Sequence, residues 1–248
     1  METAPGSSRR DLDGFSLLFG LSEGIGAVVV ILMAIWLGNY RGGFAWHSNV
    51  QLEFNWHPLL MTLSMVFLYG NGIMMFRSLR YRRKRQLKLL HAACHILTFV
   101  LVVIGLQAVF DSHNLADPPI PNLYTLHSWV GLTSVILFCC QFFAGLTAFL
   151  WPGTKLSLRG AYMPIHRFFG MAGFIFAVAA ALMGLLEKAH WVIKDYQTLS
   201  SEGLLVNFIG ILLMTFASLV MYVVTTDSYK RLALAEDEML LASGGLVE

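Results

Sequence analysis

The chain has 248 residues, of which 56% are hydrophobic and only 13% are charged. Soluble domains carry about 25% charged residues, so this composition excludes an ordinary soluble domain and indicates a one-domain integral membrane protein. The net charge of +2 is too small to indicate nucleic acid as a partner.

Six stretches of the sequence are long and apolar enough to span a bilayer, which requires about 20 residues in a helix. In chain order they cover residues 15–38, 57–76, 87–110, 125–150, 163–186 and 204–226. We therefore predict an all-α fold, a bundle of six transmembrane helices over residues 15–226, with tails at 1–14 and 227–248. Pro58 and Pro164 are expected in first helical turns, where a missing N–H costs nothing.

The distribution of basic residues predicts the orientation of the bundle. If both termini are cytoplasmic, only Arg41, Lys188 and Lys194 of the 17 lysines and arginines lie on the opposite side. Cytoplasmic loops of membrane proteins carry an excess of such residues, so we expect this topology. The cytoplasmic basic run at 80–85 is also expected to contact anionic lipid.

Four histidines lie near the ends of four successive apolar segments. His57 opens the second segment, His91 the third, His127 the fourth and His166 the fifth. In an antiparallel bundle His57 and His127 lie at the outer or lumenal side, and His91 and His166 at the cytoplasmic side. Ionisable residues within a membrane indicate function by default, and paired imidazoles suit the two axial positions of a haem iron. The central four helices are thus predicted to hold two b-type haems, a path for electrons across the membrane.

The inner pair has an alternative ligand. His95 lies one turn beyond His91 on the same helix face, about 6 Å deeper. Helix geometry favours His91 but leaves His95 open, either as the ligand or as a core histidine bonded to a neighbouring helix. The sequence has no Cys-x-x-Cys-His, so any haem is expected to be bound non-covalently.

Polar residues at the two membrane faces suggest substrate sites. Arg77, Lys88 and Arg159 are expected around the cytoplasmic haem, where cations can bind an anionic reductant. His113, on the outer side, is either a solvated loop residue or part of a substrate mouth. No dedicated iron site is visible in the sequence.

Two other functions are consistent with a histidine-bearing bundle. One is a haem-bearing membrane anchor of a quinone-linked enzyme, although the short loops offer little docking surface. The other is a non-enzymatic metal transporter, which requires ligands converging near mid-membrane. The separation of the histidines into two leaflets disfavours the transporter, and the short loops disfavour the anchor.

The sequence between Arg41 and Arg231 resembles the cytochrome b561 family of transmembrane ascorbate-dependent oxidoreductases, in particular its animal members. The resemblance is carried by short motifs at 40–46, 53–58, 88–91, 108–110, 122–129, 157–159, 164–166 and 202–203. It departs mildly from the family pattern at Phe76–Arg77 and at Thr125.

The resemblance implies six helices and two haem b groups, with His57 and His127 on the outer haem and His91 and His166 on the inner one. It favours His91 over His95, because the family ligand follows the lysine of Lys-x-x-His. It further implies that cytoplasmic ascorbate is the electron donor, bound near Arg77, Lys88 and Arg159. The outer acceptor, monodehydroascorbate or a ferric chelate, is expected near His113, Tyr124 and Glu202. We also expect a homodimer.

The C-terminal tail contains an acidic residue, Glu236, four positions before Leu240 and Leu241. This spacing resembles the dileucine signal for endosomes and lysosomes, although two chance leucines in an acidic tail are the alternative. We expect an endosomal, lysosomal or secretory-vesicle membrane, with the plasma membrane as the alternative.

Overall fold

The computed structural model describes Leu12 and residues 14–232, and within them the chain is helical and contains no strand. Six of the described helices are long and apolar enough to cross a membrane. In chain order they are α1 (Phe15–Tyr40), α2 (Val50–Ser78), α3 (Lys84–Asn114), α4 (Leu126–Leu150), α5 (Leu156–Val192) and α6 (Ser201–Thr225). The predicted all-α fold with six spanning helices is confirmed. The C-terminal residues that carry the dileucine pattern lie outside the described part.

Three antiparallel helix pairs have the most extensive packing: α2 with α3, α4 with α5, and α1 with α6. The buried face of α6 shows why the sequence folds this way, since its apolar residues recur at helical spacing. These residues are Val206, Ile209, Leu213, Phe216, Val220 and Val223. The Phe216 ring packs against Gly26, which has no side chain and so lets α1 and α6 approach closely. A Cβ at Gly26 would lie 2.8 Å from the Phe216 ring. The outward faces keep large apolar side chains exposed, as expected for helices that face lipid.

Local capping fixes where the histidine-bearing helices begin. The Thr125 side chain accepts a hydrogen bond from the backbone N–H of Ser128, and the Ser128 hydroxyl accepts one from the backbone N–H of Thr125. This reciprocal cap places His127 in the first turn of α4. At the start of α2, the Asn49 side chain accepts from two backbone N–H groups of the first turn.

Three of the helices contain π-helical stretches: Trp36–Tyr40 in α1, Thr62–Leu68 in α2 and Leu146–Leu150 in α4. Such stretches are rare and often lie close to functional residues. The stretch in α2 lies between His57 and the inner half of the bundle.

Five of the six helices extend beyond the predicted spans at one end or both, because the apolar core of a spanning helix is shorter than the helix itself. Helix α5 begins at Leu156, so Pro164 lies inside the helix and the prediction of a first-turn position was wrong. Pro58, in contrast, is the third residue of the α-helical turn that starts at Trp56. Helix α3 continues to Asn114, which places His113 in its last turn rather than beyond it.

Candidate functional site: two histidine pairs

The outer pair is formed by His57 of α2 and His127 of α4. Their ring centroids are 6.2 Å apart and their planes are almost perpendicular, at 81°. Both side chains line one large, mainly apolar cavity, which also reaches Trp36, Phe54 and Tyr124. An apolar cavity with a few convergent polar groups is the usual form of a cofactor site.

The inner pair is formed by His91 of α3 and His166 of α5. Their ring centroids are 6.3 Å apart and their planes meet at 71°. Helix packing therefore brings together the two pairs of histidines that the sequence assigned to opposite leaflets.

The separation within each pair fits two imidazoles on opposite sides of one iron. A metal–imidazole bond is about 2.0 Å long and the ring centroid lies about 1.1 Å beyond the bonding nitrogen, so such rings have centroids about 6.2 Å apart. The observed 6.2 and 6.3 Å match this value. The residues present thus fit a haem at each pair.

Hydrogen bonds to backbone carbonyls orient three of the four rings. Nδ1 of His57 lies 3.1 Å from the Gly105 oxygen, Nδ1 of His91 lies 2.9 Å from the Gly72 oxygen, and Nδ1 of His127 lies 2.8 Å from the Ala180 oxygen. Because a carbonyl can only accept, Nδ1 carries the proton and Nε2 is left with its lone pair. Metal-binding histidines are typically held in this tautomer by such a partner. Nδ1 of His166 is also buried, but it has no hydrogen-bond partner among the described residues.

Two glycines make room for two of the paired histidine rings. A Cβ on Gly184 would lie 2.6 Å from the His127 ring, and a Cβ on Gly145 would lie 3.0 Å from the His166 ring. The rings therefore occupy space that a side chain at either position would fill. Sequence reasoning missed these glycines, because nothing in their local pattern indicates what they face.

His95 is buried directly beside the inner pair. Its ring centroid lies 4.4 Å from that of His91, and its ring packs against those of Tyr69 and Phe138. A Cβ on Gly72 would lie only 2.5 Å from the His95 ring. His95 thus occupies a tight aromatic pocket next to the ring of His91, but its buried Nδ1 has no hydrogen-bond partner among the described residues, so the expected bond to a neighbouring helix is not found there.

The three predicted cytoplasmic cations have different surroundings. Lys88 and Arg159 are partly exposed, and the Arg159 guanidinium donates to the Trp151 carbonyl over 3.5 Å. Arg77 is buried, and its guanidinium donates to the carbonyls of Val224 and Thr226 at the end of α6. Cations at a helix C-terminus bind its unpaired carbonyls favourably, so this geometry gives Arg77 a structural contact as well.

The three predicted outer residues also differ in exposure. Tyr124 is exposed and lines the outer cavity together with His113. The His113 Nδ1 lies 3.1 Å from the Asn122 side-chain oxygen, so the imidazole can donate there and keep Nε2 for another partner. Both residues therefore lie where a molecule approaching the outer pair would meet them.

Glu202 lies in the first turn of α6 and is held on both carboxylate oxygens. One oxygen accepts a hydrogen bond from Trp36 Nε1 at 2.7 Å, and the other forms an ion pair with Arg41 at 2.8 Å. Sequence reasoning did not identify these two partners, which are more than 160 residues away along the chain. The clamp ties α1 and the following loop to α6 beside the outer cavity.

Comparison with known proteins agrees with this arrangement. Residues 56–192 match the family described as eukaryotic cytochrome b561. The chain is 43% identical to the transmembrane ascorbate-dependent reductase of Sus scrofa over 220 residues, which cover 88% of this chain and 86% of that relative. It is 40% identical to the lysosomal membrane ascorbate-dependent ferrireductase of Homo sapiens over 213 residues, which cover 84% and 87% of the two chains. A putative transmembrane ascorbate-dependent reductase of Caenorhabditis elegans is 36% identical over 236 residues, 91% of this chain and 88% of that relative.

The matched segment begins immediately before His57, ends at the end of α5, and so contains all four paired histidines. The match, the extent of the similarity and the histidine geometry lead to one conclusion: this chain belongs to the eukaryotic cytochrome b561 family.

Proposed function

We propose that this chain transfers single electrons from ascorbate on the cytoplasmic side of a membrane to an acceptor on the outer or lumenal side. The observation that carries the proposal is the spacing of two histidine pairs, 6.2 and 6.3 Å between ring centroids. The printed names of the relatives, ascorbate-dependent reductases and a ferrireductase, support the same activity.

Each pair is proposed to hold one haem b, which when bound takes up and releases one electron. His57 and His127 hold the outer haem through Nε2, and His91 and His166 hold the inner one. The backbone carbonyls of Gly105, Gly72 and Ala180 accept hydrogen bonds from Nδ1 of His57, His91 and His127, respectively. These bonds keep the three rings in the tautomer whose Nε2 can bind iron. Two histidines on each haem would leave no free position for oxygen, which suits electron transfer.

At the cytoplasmic face, Lys88 and Arg159 are proposed to bind the ascorbate anion. Cationic side chains hold oxyanions by charge-assisted hydrogen bonds, and both side chains are partly exposed. Arg77 was predicted to join them. Because its guanidinium contacts the end of α6, we propose that it positions this helix end beside the ascorbate site. This sidedness follows from the excess of basic residues on the side of the termini.

At the other face, His113 and Tyr124 are proposed to line the approach to the outer pair, with Glu202 fixing the helices beside it. The acceptor is monodehydroascorbate or ferric iron. The ferrireductase activity of the lysosomal relative and the dileucine pattern of the tail support an acidic organelle, and a homodimer in the membrane is part of the same proposal.

The test is to measure haem content and sidedness in one preparation. A pyridine haemochrome assay of the purified protein should give two haems per chain. In oriented vesicles, ascorbate confined to the side of the termini should reduce the haem absorption bands rapidly. One haem per chain would contradict the two-pair assignment, and absence of haem bands would favour a transporter.

A further inference from the structure

A second group of potential ligands lies outside the haem sites, where the outer ends of α2 and α3 meet. His47, Glu53 and Asp111 each offer one ligand atom, and these three atoms lie within 4.8 Å of one another. Asp111 is far from His47 and Glu53 in the sequence, so only the fold brings it to these two residues. We call them the outer carboxylate cluster.

The buried carboxylate of Glu53 is the observation that points to a ligand. Glu53 has no exposed surface, and neither of its oxygens accepts a hydrogen bond from any described residue. His47 Nδ1 lies 3.4 Å from one of these oxygens. Burying an ionised carboxylate without hydrogen bonds is costly, and pairing with a cation offsets that cost.

The loop that carries His47 is fixed by side chains at the start of α2. The Asn55 amide donates to the carbonyls of Gly43 at 2.6 Å and Arg41 at 3.1 Å, and Trp56 Nε1 donates to the Ala45 carbonyl at 3.0 Å. Three backbone positions before His47 are therefore held against the helix that carries Glu53. A fixed loop reduces the entropy that the cluster would lose on binding an ion.

Asp111 and His47 keep the cluster accessible. One Asp111 oxygen accepts a hydrogen bond from Gln107 at 2.6 Å, which orients the carboxylate. The His47 side chain is 60% exposed, so the cluster is open to the aqueous side. Three protein ligands with open coordination positions are typical of an exchangeable ion rather than a closed structural zinc site.

The ligand set also narrows the kind of ion. One imidazole and two carboxylates favour first-row transition metals such as iron and manganese, whereas calcium prefers six to eight oxygens. Two negative carboxylates balance the charge of ferrous iron and offset two of the three charges of ferric iron. The open positions would allow a chelator to hand the ion over without releasing it first.

We propose that the outer carboxylate cluster is the docking site for the ferric ion that accepts the electron. Glu53 precedes Phe54, whose ring centroid lies 6.1 Å from that of His57. Asp111 follows Phe110, and both phenylalanines line the cavity shared with the outer pair. Glu53 and Asp111 are thus each adjacent in the sequence to a residue that lines the outer cavity, where the electron is proposed to leave the protein. One electron reduces ferric to ferrous iron, and ascorbate supplies it by oxidation to monodehydroascorbate at the other face.

This inference rests on the proposed function, and the experiment separates the two. Binding is measured with Mn²⁺, which has the charge of ferrous iron and whose free form is counted by electron paramagnetic resonance. The holoprotein should bind one Mn²⁺ per chain, and His47→Ala should weaken this binding by at least about tenfold. Glu53→Gln should abolish it. Matched controls on the same face, His190→Ala and Asp195→Asn, should bind as the unchanged protein does.

The second measurement is the ratio of re-oxidation rates of the ascorbate-reduced protein by ferric nitrilotriacetate and by monodehydroascorbate. His47→Ala should lower this ratio by at least about tenfold, because only the ferric route needs the metal ligands. Equal Mn²⁺ binding by His47→Ala and the unchanged protein, or an unchanged ratio, would overturn the docking site. If ascorbate did not reduce the haems of the unchanged protein, the proposed function itself would be overturned. Since His47 is exposed, its replacement tests the site even if Glu53→Gln does not fold.

Discussion

Replacement of Gly184 by alanine should selectively release the outer haem. The added Cβ would lie 2.6 Å from the His127 ring, and an ordinary contact begins at 3.4 Å, so the ring must move by about 0.8 Å. Metal–ligand distances tolerate only about 0.2 Å. The same movement would stretch the 2.8 Å hydrogen bond from Nδ1 of His127 to the Ala180 carbonyl.

The expected size of the effect follows from what such orienting contacts contribute. Loss of the partner that orients a metal-binding histidine lowers affinity about 10- to 100-fold, or about 1.4 to 2.8 kcal/mol. The assay is the pyridine haemochrome content of the purified variant, together with the rate at which haem passes to apomyoglobin. The Gly184→Ala protein should contain close to one haem per chain. If it retains a second haem, it should lose that haem at least about tenfold faster than the unchanged protein does.

Two other glycines provide the controls. A Cβ on Gly210 would lie 3.7 Å from its nearest neighbour, and Gly210 does not line the outer cavity, so Gly210→Ala should keep both haems. Gly145→Ala should have a smaller effect on the inner site, because its Cβ would lie 3.0 Å from the His166 ring, whose Nδ1 has no hydrogen bond within the described structure to lose. If Gly184→Ala retained both haems with an unchanged rate of haem loss, the proposed His127 geometry would be refuted.

Three further predictions follow from other parts of the molecule. Lys88→Ala or Arg159→Ala should slow reduction by ascorbate with unchanged haem content, as measured by stopped-flow absorbance; rates equal to those of the unchanged protein would remove both residues from the donor site. Glu202→Gln should lower the free energy of unfolding by about 1.5 to 3 kcal/mol, because it weakens a charge-assisted bond in a side chain that is only 13% exposed; an unchanged thermal midpoint would show that the clamp contributes nothing. Changing Leu240 and Leu241 to alanine should shift a tagged protein from endosomes or lysosomes to the plasma membrane, and an unchanged distribution under the microscope would argue against a sorting signal.

The sequence was sufficient to predict the helices and the pairing of the histidines for a physical reason. The bilayer requires long apolar helices whose direction alternates, so a histidine near the start of each apolar run must alternate between faces. Helix ends were less predictable. The first turns of α5, from Leu156, are too polar to register as part of a span, and so Pro164 was placed in a first turn when it lies well inside the helix.

Side-chain partners across the bundle could not be predicted, because they depend on helix rotation and depth. Topology placed Arg77 on the cytoplasmic face, but only packing shows that its guanidinium reaches the carbonyls at the end of α6. In the same way the sequence indicated Glu202 as an outer residue but not its partner Arg41. The proximity of Glu53 to Asp111 likewise depends on how α2 and α3 pack.

The π-helical stretch Thr62–Leu68 gives α2 a tolerance for changes in length that an α-helix lacks. Helix α2 supplies His57 at one end and the Gly72 carbonyl that orients His91 at the other, so both ends must keep their rotational phase. In an α-helix each residue turns the direction by about 100°, and one deletion would swing Gly72 away from His91. A π-turn contains one extra residue, and a deletion there can convert it to an α-turn without rotating either end. The outer and inner sites therefore remain aligned when a single residue is lost from this stretch.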